Sequence, residues 1–157
     1  MQAAGWVFAM RSSISQGAPL FGALALAATL CLACASKSPQ EKLLDATKPA
    51  ASWIATLRMT GERWNANSVP ASFVKATAGK AVDELGAVAE EAGKSPVPPE
   101  VRLPLQRLMT AARAAGSGLE RAVEAGDRPA AARQVARLAA LEGELAAWRS
   151  GQKGRAP

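Results

Sequence analysis

Residues 68–93 read SVPASFVKATAGKAVDELGAVAEEAG. Within them Val74, Ala78, Ala81, Leu85, Val88 and Ala92 recur at alternating spacings of four and three residues, the repeat that holds one face of an α-helix against a neighbour. A half-buried strand would need apolar residues at every second position, and the stretch does not supply them. Phe73 and Val82 widen the apolar face. Ser68 is placed to cap, Pro70 fits the first turn, and Gly93 is a stop. A helix with one apolar face must bury it, so the rest of the chain has to provide the cover.

The flanking segments repeat the pattern. Downstream, Lys94-Ser95-Pro96-Val97-Pro98-Pro99 is a stiff connector. A third helix then starts at Pro99 or Pro104, with Val101, Leu105, Leu108, Ala112, Ala115, Leu119 and Val123 on its seam. If it starts at Pro99, Pro104 should kink it. Gly126 closes this helix and Asp127 caps the next, so the two form an antiparallel hairpin. The fourth helix sets Val135, Leu138, Leu141, Leu145 and Trp148 on one face, with Arg133, Arg137 and Glu144 opposite. Upstream, Trp53, Leu57, Thr60 and Trp64 share a stripe with Ile54 and Gly61 beside it. That helix begins at Pro49 and ends near Asn65 to Asn67, and Gly61 lets a neighbour come close. Four such helices with short links predict an all-α, up-down-up-down four-helix bundle over 49–150. Because alanine seams bury little area, Trp53, Trp64, Phe73 and Trp148 are expected to supply much of the core, and stability is expected to be modest.

Ahead of the bundle the chain changes character. Leu20 to Ala35, LFGALALAATLCLACA, carries no charge and follows a lone basic residue, Arg11, with Met10 a second possible start. Its apolar core, 20–33, is about 14 residues against the ~20 that a spanning helix needs, and small residues follow it; those are the parts of an export signal. Ala33 and Ala35 around Cys34 fit ordinary cleavage before Ser36, giving a secreted form, and retention as an uncleaved anchor is a third outcome. Leu32-Ala33-Cys34 resembles the end of the lipobox of bacterial lipoprotein precursors, with Cys31 where that motif has leucine. The resemblance implies a diacylglycerol thioether on Cys34, cleavage before it and acylation of the freed amine, which is enough lipid for stable anchoring. It covers the leader alone. The expected organisation is therefore a signal over 1–33, a tether over 34–48, the bundle, and a flexible basic tail over 151–157. In the tether Ser38 and Glu41 form a capping box and Leu43-Leu44 allow a short helix.

Composition agrees with an all-α body of roughly 120 residues, one domain's worth. Aromatics are 4% with no tyrosine, and the residues in excess are strong helix formers. The chain has 19 basic and 13 acidic residues, a net charge of +6. The excess lies in the second half, where Arg107, Arg113, Arg121, Arg133 and Arg137 offer a surface to anionic partners such as lipid headgroups, lipopolysaccharide or cell-wall polymers. Nucleic acid is disfavoured, since no aromatics are interleaved to stack on bases. The plainer reading is that these arginines solvate the outer faces of alanine-rich helices.

Candidate chemistry is sparse. With no histidine and no cysteine after Cys34, zinc, haem and iron–sulfur sites of usual ligation have no ligands, and no cofactor is expected. Ser72-Phe73-Val74-Lys75 has the S-x-x-K spacing of penicillin-binding proteins but lacks their partner motifs. Asp83-Glu84 and Glu90-Glu91 point about 100° apart on a helix and do not converge. The expectation is a non-enzymatic envelope lipoprotein working as an interaction or structural module at a membrane surface, with an envelope protein or anionic polymer as partner. A carrier using a groove lined by Trp53, Trp64, Phe73 and Trp148, or a polyanion-binding module using the arginines, are the alternatives.

Overall fold

A computed structural model describes residues 37–154; Cys34, the leader and the last three residues lie outside the described part. Four helices make up the body: α1 (Pro39–Asn65), α2 (Ala71–Lys94), α3 (Pro99–Glu124) and α4 (Arg128–Lys153). Each packs on its neighbours in sequence, and α1 also packs on α4, closing a ring of four around one core. Contacts fix the directions. The start of α2 meets the end of α3 through Lys75 and Glu124 at 3.0 Å, and the start of α1 meets the end of α4 through Gln40 and Gln152. The bundle is therefore up-down-up-down, with one end carrying the start of α1 and the end of α4. Among the described residues no helix is long and apolar enough to cross a membrane.

The α2 seam is buried as its spacing requires: Val74, Ala78, Ala81, Leu85 and Ala92 are fully enclosed and Val88 nearly so. It faces α3, where Leu105, Ala112, Ala115 and Leu119 are equally enclosed. In α3 Leu108 is only half-buried and Met109 takes the inward place. A straight helix drifts about 20° per heptad from a strict seven-residue repeat, and that drift moves the seam around the axis.

Glycine decides how closely the helices approach. A Cβ at Gly61 of α1 would stand 2.6 Å from Val135 Cγ2 of α4 and 3.2 Å from both methyls of Leu119 in α3. A Cβ at Gly116 of α3 would stand 3.1 Å from Val82 Cγ2 and 3.2 Å from Leu57 Cδ1. Leu57 thus seats against Gly116 and Leu119 against Gly61, a reciprocal lock across the diagonal of the ring.

The helix ends follow local chemistry. Ser38 Oγ accepts from the Glu41 N–H at 3.2 Å while a Glu41 carboxylate oxygen accepts from the Ser38 N–H at 2.7 Å, the reciprocal capping box. Asn67, in the left-handed region at φ 57°, turns the chain after α1. Gly126, at φ 68°, does the same after α3, and Asp127 then accepts from the Ala130 N–H at 2.8 Å. At the start of α4, Arg128 donates to the Trp64 and Asn65 carbonyls, at 3.2 and 2.7 Å, and to the Asn67 side chain. Its guanidinium lies 5.0 Å from the centroid of the Trp64 ring. A cation on the last carbonyls of α1 satisfies groups the helix leaves open and complements its dipole.

Four expectations are corrected. The first helix starts at Pro39, not Pro49, and passes through Pro49 without stopping. Proline there removes one backbone bond and crowds the preceding turn, but Leu43, Thr47, Ala50 and Ile54 bury one continuous face across it. Burial on both sides outweighs the local break. Second, α4 does not fray at Ser150; it runs to Lys153, held by Gln152, which is 6% exposed and accepts from Gln40 Nε2. Third, Ser68 does not cap α2. The cap residue is Pro70, with no side-chain bond, and the Ser68 hydroxyl turns toward the Ala66 carbonyl. Fourth, Phe73 is 53% exposed, and the core is filled by Ile54, Leu57, Leu85, Leu105, Met109, Leu119, Leu138 and Leu145.

The glycine lock predicts opposite outcomes for two similar substitutions. Gly61→Ala gains helix propensity but forces Val135 and Leu119 apart, and is expected to destabilise by about 1–2 kcal/mol. Gly79→Ala, where nothing lies within 4 Å of the added atom, is expected to stabilise by about 0.5–1 kcal/mol. Urea unfolding followed by circular dichroism measures both.

Candidate functional site

Two concave surfaces gather the residues with chemistry to offer. The larger is a groove between α3 and α4. Its lower stretch, about 510 Å³, is lined by Pro104, Leu108, Ala111, Leu141 and Trp148 with Arg107 and Glu144 on the rim. Its upper stretch, about 550 Å³, is lined by Leu103, Gln106, Thr110 and Ala114 with Arg107 and Arg137 on the rim. Arg107 and Ala111 belong to both, so the stretches are continuous. Trp148 is fixed there by its indole N–H, which donates to the Val101 carbonyl at 3.3 Å. The groove has an apolar floor with cations at its edge, and it is open to solvent along its length.

The five sequence-predicted arginines are all exposed, and among the described residues none has a carboxylate within 4.0 Å. They do not form one field. Arg107 and Arg137 line the same stretch of the α3–α4 groove. Arg121 is two heptads from Arg107 on α3, and Arg133 is one turn from Arg137 on α4, so spacing puts each on its partner's side of its helix. Arg113 belongs elsewhere: its guanidinium lies over Gly86 of α2, 3.2 Å from where a Cβ would be.

The four aromatics are likewise dispersed and do not line a common groove. Trp64 is buried at the end of the bundle where Arg128 covers it, and Trp148 sits at the opposite end beside Val101. Trp53 is half-buried against the core, and Phe73 is on the surface. Ser72 and Lys75 do not act together, since the Lys75 ammonium is bound to Glu124 at 3.0 Å. Glu84 pairs with Lys80 at 2.6 Å and Glu90 with Lys94 at 3.7 Å, so each adjacent acidic pair has a member engaged on its own helix. Among the described residues no three metal-binding side chains come together.

The second surface lies at the end of the bundle nearest Cys34 in sequence. It is a shallow pocket of about 370 Å³ lined by Lys37, Glu41, Leu44, Asp45, Lys48, Arg149 and Lys153. Asp45 accepts from Lys37 at 2.5 Å and from Lys48 at 2.6 Å. Hydrogen bonds from Lys37 and then Lys48 hold its carboxyl down to about 2, and the same contact raises the Lys37 ammonium above its ordinary value. Glu41 is committed to the cap of α1, while Arg149 and Lys153 have no carboxylate partner among the described residues. This corner was not legible as a unit, because the apparent break at Pro49 and the glycine-rich tail hide the full lengths of α1 and α4. The signal that reveals it is the Ser38–Glu41 capping box with Leu43 and Thr47 one turn apart.

Fold and surfaces together define the class: a small antiparallel four-helix bundle whose polar chemistry lies in open grooves on its outside. Comparison with known proteins adds no family: no family model matches the chain, no curated protein matches it, and no solved structure matches it.

Asp45 gives a pH test of the corner. A carboxyl whose folded pKa lies below its unfolded value stabilises the fold above about pH 4, and that contribution is lost as pH falls toward 2. Carboxyl carbon NMR should show Asp45 titrating near 2, below the ordinary aspartate range. Lys37→Ala combined with Lys48→Ala should return it to the usual 3 to 4.

Proposed function

We propose that this chain is an envelope lipoprotein, fastened to a membrane through a lipid on Cys34, whose four-helix body is a non-enzymatic interaction module. The observation that carries the reading is the uncharged run 20–33 ending at Leu32-Ala33-Cys34, with Ser38 capping α1 only four residues after the cysteine. An export signal explains the run. Lipid chemistry explains why a cysteine stands at its end, and a rigid helix beginning almost at once suits a body carried at the membrane surface. The non-enzymatic reading is supported by the described residues, among which no three metal-binding side chains come together and the Lys75 ammonium is bound to Glu124. The adjacent carboxylates belong to solvated faces, and Ser72 has no partner amine.

The α3–α4 groove is the working surface in this reading. A site for a small ligand usually encloses most of its occupant, whereas this groove is open along its length, which favours contact with another macromolecule over a carrier role. The polyanion-binding alternative keeps one specific support, the presence of both Arg107 and Arg137 in the lining of that groove.

Mass spectrometry of the mature amino terminus tests the proposal. The expected product begins at Cys34 and carries a diacylglycerol mass, and Cys34→Ala abolishes that mass and releases the protein from the membrane fraction. An unlipidated product beginning at Ser36 would replace the anchored form with a secreted one. An intact leader on cytosolic protein would overturn the proposal altogether.

A further inference from the structure

We propose that the corner formed by Lys37, Lys48, Arg149 and Lys153 is a docking surface for anionic lipid headgroups, so that the bundle stands on the membrane with its α1–α4 edge down. The inference rests on lipid attachment at Cys34 and adds to it an orientation and a lipid preference. Three residues separate Cys34 from Ser38, and a fully extended chain over that interval reaches no more than about 14 Å. The start of α1 is thereby confined near the headgroups, within a Debye length or two at physiological salt. Only one end of the bundle is held there, and its charge decides which edge of that end turns toward an anionic surface.

That charge is uneven. On the α1–α4 side four basic residues face two carboxylates. Asp45 spans Lys37 and Lys48, so this trio keeps one positive charge. Glu41 is occupied by the α1 cap, and Arg149 and Lys153 are left to bind a phosphate. Lys37 and Lys48 have side chains 64% and 65% exposed, so both ammonium groups reach solvent while bound to Asp45. Around the rest of the same end the acids Glu90, Glu91 and Glu100 stand with Lys94, Arg102 and Lys42, the last lining a pocket with Glu91 and Lys94, and Lys94 is already paired with Glu90. An anionic surface attracts the first side, with its two net positive charges, and the rest of that end, where three acids and three bases balance, offers no comparable attraction. Two net positive charges close to such a surface favour the docked orientation on the order of tenfold at low salt.

The test supplies the lipid chemically. The chain from Cys34 onward contains the whole closed core of the bundle and a single cysteine. Its thiol is added across the double bond of a maleimide-headgroup lipid in vesicles of phosphatidylcholine, or of phosphatidylcholine with phosphatidylglycerol, and circular dichroism checks that the helices persist. Lysine acetylation read residue by residue by mass spectrometry reports the orientation. On the anionic vesicles Lys37, Lys48 and Lys153 are expected to react roughly tenfold more slowly than on phosphatidylcholine, with Lys75 and Lys80 unchanged. High salt, or Arg149→Glu with Lys153→Glu, should remove the difference at Lys37 and Lys48. Equal rates on both vesicles, or equal slowing at Lys75 and Lys80, would overturn the proposal. So would protection by soluble polyphosphate with none by vesicles, which would assign the corner to a soluble polyanion. Because the anchor is attached in vitro, failure here is distinguishable from failure of Cys34 to be lipidated in cells.

Discussion

The bundle depends on two leucines seated against two glycines. Leu57 of α1 fills the space that Gly116 of α3 leaves, and Leu119 of α3 fills the space left by Gly61 of α1. Helices on opposite corners of a four-helix ring ordinarily stand apart, and here the missing Cβ atoms let them touch through side chains. The rest of the core follows from that approach. With the centre occupied by leucine, isoleucine and methionine among enclosed alanines, there is no room on the axis for an indole. Trp53, Trp64 and Trp148 are accordingly found at the ends and edges, where Trp64 takes a guanidinium over its ring and Trp148 donates its N–H to a carbonyl. Small residues bury little area each, but close packing recovers dispersion contacts that a looser core would forfeit.

A core satisfied in this way leaves the outer faces for interaction. The basic excess of the second half is divided by the geometry of the ring. Arg107 and Arg137 share the α3–α4 groove while Arg113 lies across α2. The other cationic surface combines the first turns of α1 with the last turns of α4, segments more than a hundred residues apart. Gln40 and Gln152 bring those ends together, and in doing so set Lys37 and Lys48 beside Arg149 and Lys153. The position of that corner, which begins at Lys37 three residues after Cys34, links the fold to the proposed anchor without any long linker.

How much was legible varied with how far each feature depends on distant residues. The α2 seam was readable residue by residue, because its spacing and its burial coincide. The Asp127 cap and the Gly126 turn were readable for the same reason, since the groups that satisfy them lie within a few positions. Phe73 was misjudged because hydrophobicity alone does not say whether a helix lies opposite, and at that point of α2 none does. Pro49 was misjudged in the other direction: its local cost is real, yet Leu43, Thr47 and Ala50 are buried on either side of it. Arg128 gave no motif, and its role exists only because the end of α1 lies beside the start of α4.

The sequence by itself determined the helical class, the number of helices, their turns and most of the inward faces, and it alone carries the case for export and lipidation. These are consequences of spacing, capping and local charge, which act between residues close in the chain. The tertiary structure decided which prolines and glycines the helices tolerate, which aromatic side chains are buried, and which cations meet. Those outcomes depend on what stands on the other side of each face, and only the packed ring supplies that.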